Sequence, residues 1–180
     1  MGVDRRYPAS AILTFRPDSG HDRYWCVPPK PERRPYFIAS LLDLLGEWNS
    51  CFVWKALGSW PASAIPQRTN DVVHLRILKG LGLPLGTADA VEFSRPEIDS
   101  LVTLLFLTTI FGWSVGDDMY VIPDNGRYIM KTDHHDVIHV SFRDTEDLDR
   151  LVEAMAGRGF ALSDDLPDET FKPAPWMKGE

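Results

Sequence analysis

Most of the motifs that declare a chemistry are missing from this chain. No phosphate-cradling GxxxxGK and no HExxH occurs, so neither a P-loop nor a metalloprotease helix is expected. The glycine-rich stretch Gly80-Leu81-Gly82-Leu83-Pro84-Leu85-Gly86 lacks the GxGxxG spacing, and Pro84 interrupts any helix start there; it reads as a loop. Cysteine is scarce. Cys26 and Cys51 stand alone with no CxxC, which excludes a disulfide framework and fits reduced thiols in a cytoplasmic compartment. Long apolar runs are missing as well. The longest, Leu101 to Trp113, is broken by Thr103, Thr108 and Thr109 and is shorter than the roughly 20 residues that span a bilayer. It reads as a buried helix, and no membrane partner is expected. Met1-Gly2-Val3-Asp4-Arg5-Arg6 runs into Tyr7-Pro8-Ala9-Ser10 rather than into apolar residues, so no secretory signal is expected either.

Positive charge is lacking where a nucleic-acid binder would need it. Residues 1–90 carry 11 basic and 8 acidic side chains, residues 91–180 carry 8 and 18, so the halves stand at +3 and −10. A −10 half repels the phosphate backbone, and DNA or RNA is not an expected ligand. The same asymmetry suits a protein partner with a basic surface.

What is present is an ordinary globular composition, 44% hydrophobic and 25% charged over 180 residues. That length can bury a core unaided, and one domain spanning 1–180 is expected. Ala11 to Phe15 reads as a strand closed by Arg16-Pro17-Asp18-Ser19-Gly20. Pro28, Pro29, Pro31 and Pro35 predict an irregular crossing over 27–35. Phe37, Ile38, Leu41, Leu42, Leu44 and Leu45 recur at helical spacing up to Gly46. Cys51 to Leu57 and Val72 to Leu78 read as strands. Ser94-Arg95-Pro96-Glu97 combines a capping serine, an early-turn proline and a glutamate three residues on, so a helix starts there, covered on most sides and ending near Gly112. Met119 to Ile122, a turn at Pro123-Asp124-Asn125-Gly126, Arg127 to Lys131 and Val137 to Phe142 form a meander, with Asn-Gly as a hairpin signal because both residues tolerate positive φ. Asp144 caps a helix bearing Leu148, Leu151, Val152 and Met155 on one face. The tail, 164–180, reads as an extended arm. The fold class expected is α+β: a mostly antiparallel sheet with a C-terminal meander packed against a central buried helix and two further helices.

Two sets of residues are candidates for function. The first is the acidic, aromatic surface: Asp144, Glu146, Asp147, Asp164, Asp165 and Trp176. Six tryptophans in 180 residues suggest that some are exposed, and an indole ringed by carboxylates suits a tight interface. In size and composition the chain resembles the small acidic immunity and antitoxin proteins of bacteria. The resemblance implies a non-enzymatic inhibitor of a basic protein and rests on no motif. The second set is Asp133, His135, Asp136 and His139. In a strand from Val137, His139 and Ser141 share a face, with His135 on the same side, so two imidazoles and a carboxylate could ligate a divalent metal such as zinc. That alternative is a metal-dependent enzyme; the leading expectation needs no cofactor. Adjacent carboxylates such as Asp117-Asp118 and Asp164-Asp165 point to opposite faces of a strand and do not read as catalytic pairs.

Overall fold

An antiparallel sheet organises the chain. The computed structural model describes residues 6–7, 22–55, 60, 76–83, 90–111 and 118–162. Its strands are β1 (Arg6–Tyr7), β2 (Asp22–Cys26), β3 (Ser50–Lys55), β4 (Ala90–Ser94), β5 (Met119–Pro123), β6 (Tyr128–Asp133) and β7 (Val137–Phe142), in the order β1-β4-β3-β5-β6-β7-β2. Every pairing is antiparallel. The helices are α1 (Arg34–Leu44), α2 (Ile98–Phe111) and α3 (Thr145–Gly157). The α+β class with a C-terminal meander, β5-β6-β7, is what the sequence predicts.

Strand periodicity divides the side chains between two faces. One face carries Trp25, Cys51, Val53, Val91, Phe93, Met119, Val121, Tyr128, Met130, Ile138, Val140 and Phe142. The helices complete its core with Phe37, Ile38, Leu41 and Leu42 of α1, Leu101, Leu104 and Leu105 of α2, and Leu148, Leu151 and Met155 of α3. α1 packs on both other helices, α2 on β4 and β6, and α3 on β7. Only Asp99 and Thr103 are exposed along α2, which matches its expected coverage. The opposite face of the sheet is buried too: in β5, β6 and β7 every residue is buried except Lys131, which is partly so. These strands therefore read as nearly continuous apolar runs, and the polar residues among them are conspicuous.

Local signals set the element ends. Ser94 and Glu97 form the capping box, Ser94 N–H donating to Glu97 Oε2 at 3.0 Å and Ser94 Oγ at 2.9 Å; a 3-10 turn, Arg95–Glu97, leads into α2. Asp144 caps α3, its Oδ1 accepting from Glu146 N–H at 2.8 Å. Gly46 follows α1 at φ +97, in the left-handed region that suits glycine.

Several expectations are corrected. The 27–35 segment is not irregular throughout. A 3-10 turn spans Pro31–Arg33 and α1 starts at Arg34, because Pro31 and Pro35 occupy first-turn positions where the missing amide costs nothing. β2 and β4 were not expected from the sequence. Residues 76–80 are helical, not the end of a strand: Leu83 N–H bonds Leu78 O and Gly82 N–H bonds Lys79 O, with Gly82 at φ +72, a helix-closing Schellman arrangement. The β5–β6 hairpin forms, but only Gly126 takes positive φ, at +61. Gly126 N–H bonds Pro123 O at 2.9 Å, so the loop is a four-residue turn closed by a left-handed glycine and not the two-residue form. Trp25, Trp48, Trp54 and Trp60 are all buried, and the exposed large hydrophobic residue among those described is Tyr36. The expected strand 11–15, the arm 164–180, Trp113 and Trp176 lie outside the described residues.

Candidate functional site

Cross-strand register assembles a polar cluster on the sheet face opposite the helices. Tyr24 of β2 lies opposite His139 of β7, His139 opposite Lys131 of β6, Lys131 opposite Tyr120 of β5, and Tyr120 opposite Trp54 of β3. In the neighbouring row Asp133 faces Val137, which faces Cys26. Because strand side chains alternate, Lys131, Asp133 and His139 must share one face. Asp118, immediately before β5, completes the group.

The cluster is built around two carboxylates of 2% side-chain exposure or less, joined by one ammonium. Lys131 Nζ lies 2.9 Å from Asp133 Oδ2 and 3.3 Å from Asp118 Oδ2. Each carboxylate also holds one histidine of the β6–β7 turn. Asp118 Oδ1 accepts from the His134 N–H at 2.8 Å and lies 3.1 Å from His134 Nδ1. Asp133 Oδ1 accepts from the His135 N–H at 2.9 Å and lies 2.9 Å from His135 Nδ1. The two imidazoles stack at 4.0 Å between centroids. Asp136, the third turn residue, adopts φ +58.

Electrostatics separates the groups. Burial raises the Asp118 carboxyl above its usual range against the pull of Lys131. Burial pushes Asp133 the same way, but the His135 amide and the Lys131 ammonium outweigh it and hold the group down at about 2. Lys131, flanked by both carboxylates, is held above its ordinary value although burial works against its charge. His139 is lowered to about 4, by burial first and the Lys131 charge second, so its ring is neutral at neutral pH. That ring is 3% exposed as a residue, takes the edge-on Tyr24 ring at 4.5 Å, and has no hydrogen-bond partner at either nitrogen. Its Nε2 is 3.7 Å from Asp133 Oδ2. Ser141, two residues along the same face, is also buried with an unpartnered hydroxyl.

Of the residues expected to ligate a metal, three come together: Asp133, His135 and His139. Asp136 does not join them. It faces Arg34 at 3.4 Å, and the buried Arg34 also donates to Pro28 O at 2.9 Å and to Thr109 O. This arginine fastens the start of α1 to the β6–β7 turn and the end of α2. His134, Lys131 and Asp118 belong to the cluster and are not among the ligands expected from the sequence, where Asp118 is weighed only as a neighbour of Asp117. A signal for one of them exists: closing the β6–β7 hairpin on its three-residue turn places Lys131 opposite His139, on the face of Asp133.

Of the acidic set, Asp144 is spent as the α3 cap, and Asp147 is bound by Arg127 and Arg150. Glu146 is exposed. Asp164, Asp165 and Trp176 lie outside the described residues. α3 presents two further exposed carboxylates, Asp149 and Glu153, one and two turns beyond Glu146. Cys51 is buried, its thiol pushed far up by burial, which leaves it unreactive.

One catalytic spacing does occur, Gly112-Trp113-Ser114-Val115-Gly116. A nucleophile elbow turns from a strand into a helix; here α2 precedes and β5 follows, the reverse order. Residues 112–117 lie outside the described ones. No helix among the described residues is long and apolar enough to cross a membrane. No protein-family model, curated protein or solved structure matches the chain.

Proposed function

We propose that this chain is a non-enzymatic protein-binding domain that engages a basic partner through the outer face of α3, as an immunity- or antitoxin-like inhibitor would. The observation that carries the reading is a stripe of exposed carboxylates, Glu146, Asp149 and Glu153, at helical spacing. None of the three is ion-paired among the described residues, in contrast to Asp147, which two arginines hold. Carboxylates three and four residues apart on one helix repel each other, a cost that a basic partner removes. The −10 balance of residues 91–180 adds a longer-range field that speeds encounter with a positive surface. The buried tryptophans take no part, so aromatic contribution is limited to Tyr36 among the described residues.

The test is affinity capture from a lysate of the native host with wild-type bait and with a Glu146→Lys/Asp149→Lys/Glu153→Lys bait. A basic protein retained by the wild type at low and moderate salt, and lost with the triple variant, is the expected result. Capture of nothing, or equal capture by both baits, overturns the proposal.

A further inference from the structure

The histidines of the β6–β7 hairpin have more nitrogen donors aimed at Asp133 than the fold uses. A buried polar group normally finds a hydrogen bond. His139 finds none at either nitrogen, yet its Nε2 stands 3.7 Å from Asp133 Oδ2, on the inner side of the cluster. From the outer side, His135 Nδ1 approaches Asp133 Oδ1 to 2.9 Å and His134 Nδ1 to 3.6 Å. One ligand atom from each of Asp133, His134 and His135 falls within a 4.8 Å group.

These separations fit a common cation. Ligand atoms each about 2.1 Å from one ion lie about 3.0–3.4 Å from one another, according to whether the geometry is octahedral or tetrahedral. The 2.9 Å pair already matches, and the 3.6 Å pair, on the same Asp133 oxygen, needs closing by a few tenths of an ångström; His139 faces the other oxygen, Oδ2, which Lys131 holds. Charge points the same way. Two carboxylates, Asp118 and Asp133, stand against the single ammonium of Lys131, in a place where burial strengthens attraction to a cation. Lys131 and Asp118 serve as the outer shell: Lys131 holds Asp133 Oδ2, and Asp118 anchors the His134 amide. An entry path exists, since the His135 side chain is 56% exposed.

We infer that the β6–β7 hairpin is a binding site for a divalent transition-metal ion of the zinc class, held by Asp133, His134 and His135, with the unpartnered His139 behind Asp133 within the sheet. The donor set is two imidazoles and one carboxylate, which selects zinc and its late first-row neighbours over magnesium and calcium, whose preferred ligands are oxygen. The site is independent of α3 and of the partner proposed for it: Asp136, the turn residue that points away, is tied to Arg34 instead.

The test uses the full chain without a histidine tag, stripped with a chelator and titrated with zinc chloride by calorimetry, with magnesium chloride as the comparison. One zinc per chain and no magnesium uptake are expected. His135→Ala, an exposed position that should leave folding intact, weakens zinc binding by about tenfold or more, and His134→Ala does the same. Asp136→Ala leaves it unchanged. The ring ¹⁵N shifts of His135 report the bond directly, moving at Nδ1 on zinc addition. Absence of stoichiometric zinc uptake by the wild type overturns the inference, as does uptake that survives both histidine substitutions or His135 shifts that stay put.

Discussion

Replacing Lys131 by methionine tests the electrostatic reading of the sheet's second face. The methionine keeps the length and apolar volume of the side chain, so packing changes little. What disappears is the single cation between two buried carboxylates, 2.9 Å from Asp133 and 3.3 Å from Asp118. Breaking a buried ion pair by removing one member costs about 3–5 kcal/mol, because a charge is left uncompensated. Part of that is recoverable. Asp133 keeps the His135 amide and Asp118 keeps the His134 amide, and Asp118, already raised by burial, can take up a proton. A loss of about 3 kcal/mol at pH 7 is therefore expected, a large share of the 5–15 kcal/mol typical of a domain. The sign of its pH dependence follows from Asp118. A carboxyl whose folded pKa is raised penalises the folded state above the unfolded value of about 3.9, and the penalty fades as the pH falls toward it. In Lys131→Met that penalty is larger, so the deficit relative to wild type should shrink between pH 7 and about pH 4.5. The assay is urea unfolding of chelator-treated protein at both pH values, with midpoints compared at constant slope. The double variant Lys131→Met/Asp118→Asn should regain part of the loss. A deficit under about 1 kcal/mol at pH 7, or one that grows on acidification, refutes the reasoning.

Two further outcomes are expected. Asp144→Ala removes the only side-chain acceptor seen at the start of α3 and should lower stability by about 1 kcal/mol in the same urea experiment, with Asp144→Asn nearly neutral. In a thiol-labelling time course on native protein, the exposed Cys26 should react within minutes and the buried Cys51 only on unfolding, so the native and denatured counts should be one and two.

Legibility in the sequence followed the range of the interaction. The capping box of Ser94 and Glu97, the Asp144 cap and the left-handed Gly46 involve partners within a few residues, and each reads directly from spacing. The β5-β6-β7 meander was visible for the same reason, since consecutive hairpins pair neighbours in the chain. β2 was not: its partner is β7, with Asp22 opposite Ser141, and no local pattern in Asp22-Arg23-Tyr24-Trp25-Cys26 signals an edge strand that pairs more than a hundred residues on. The helical turn at 76–80 failed differently. Apolar alternation through Ile77 and Leu78 matched a strand, while the decisive feature was Gly82, whose positive φ closes a helix.

The cluster sits between these cases, and its partial legibility has a physical cause. Parity within β7 was enough to put His139 and His135 on one side, but it said nothing about what lies across the hairpin. The turn Asp133-His134-His135-Asp136 looks like any polar loop in sequence, because its carboxylates appear to belong to solvent. In the fold they divide. Asp133, as the last residue of β6, is drawn inward by the strand's alternation, whereas Asp136, the last turn residue, is carried to Arg34. Two aspartates three residues apart thus acquire opposite roles, one a buried hub for three imidazoles and an ammonium, the other an exposed carboxylate paired with the buried Arg34. Exchanging those roles would require shifting the β6–β7 register by one residue, which would turn Ile138, Val140 and Phe142 out of the core. The burial of those three side chains is therefore what holds Asp133, Lys131 and His139 together.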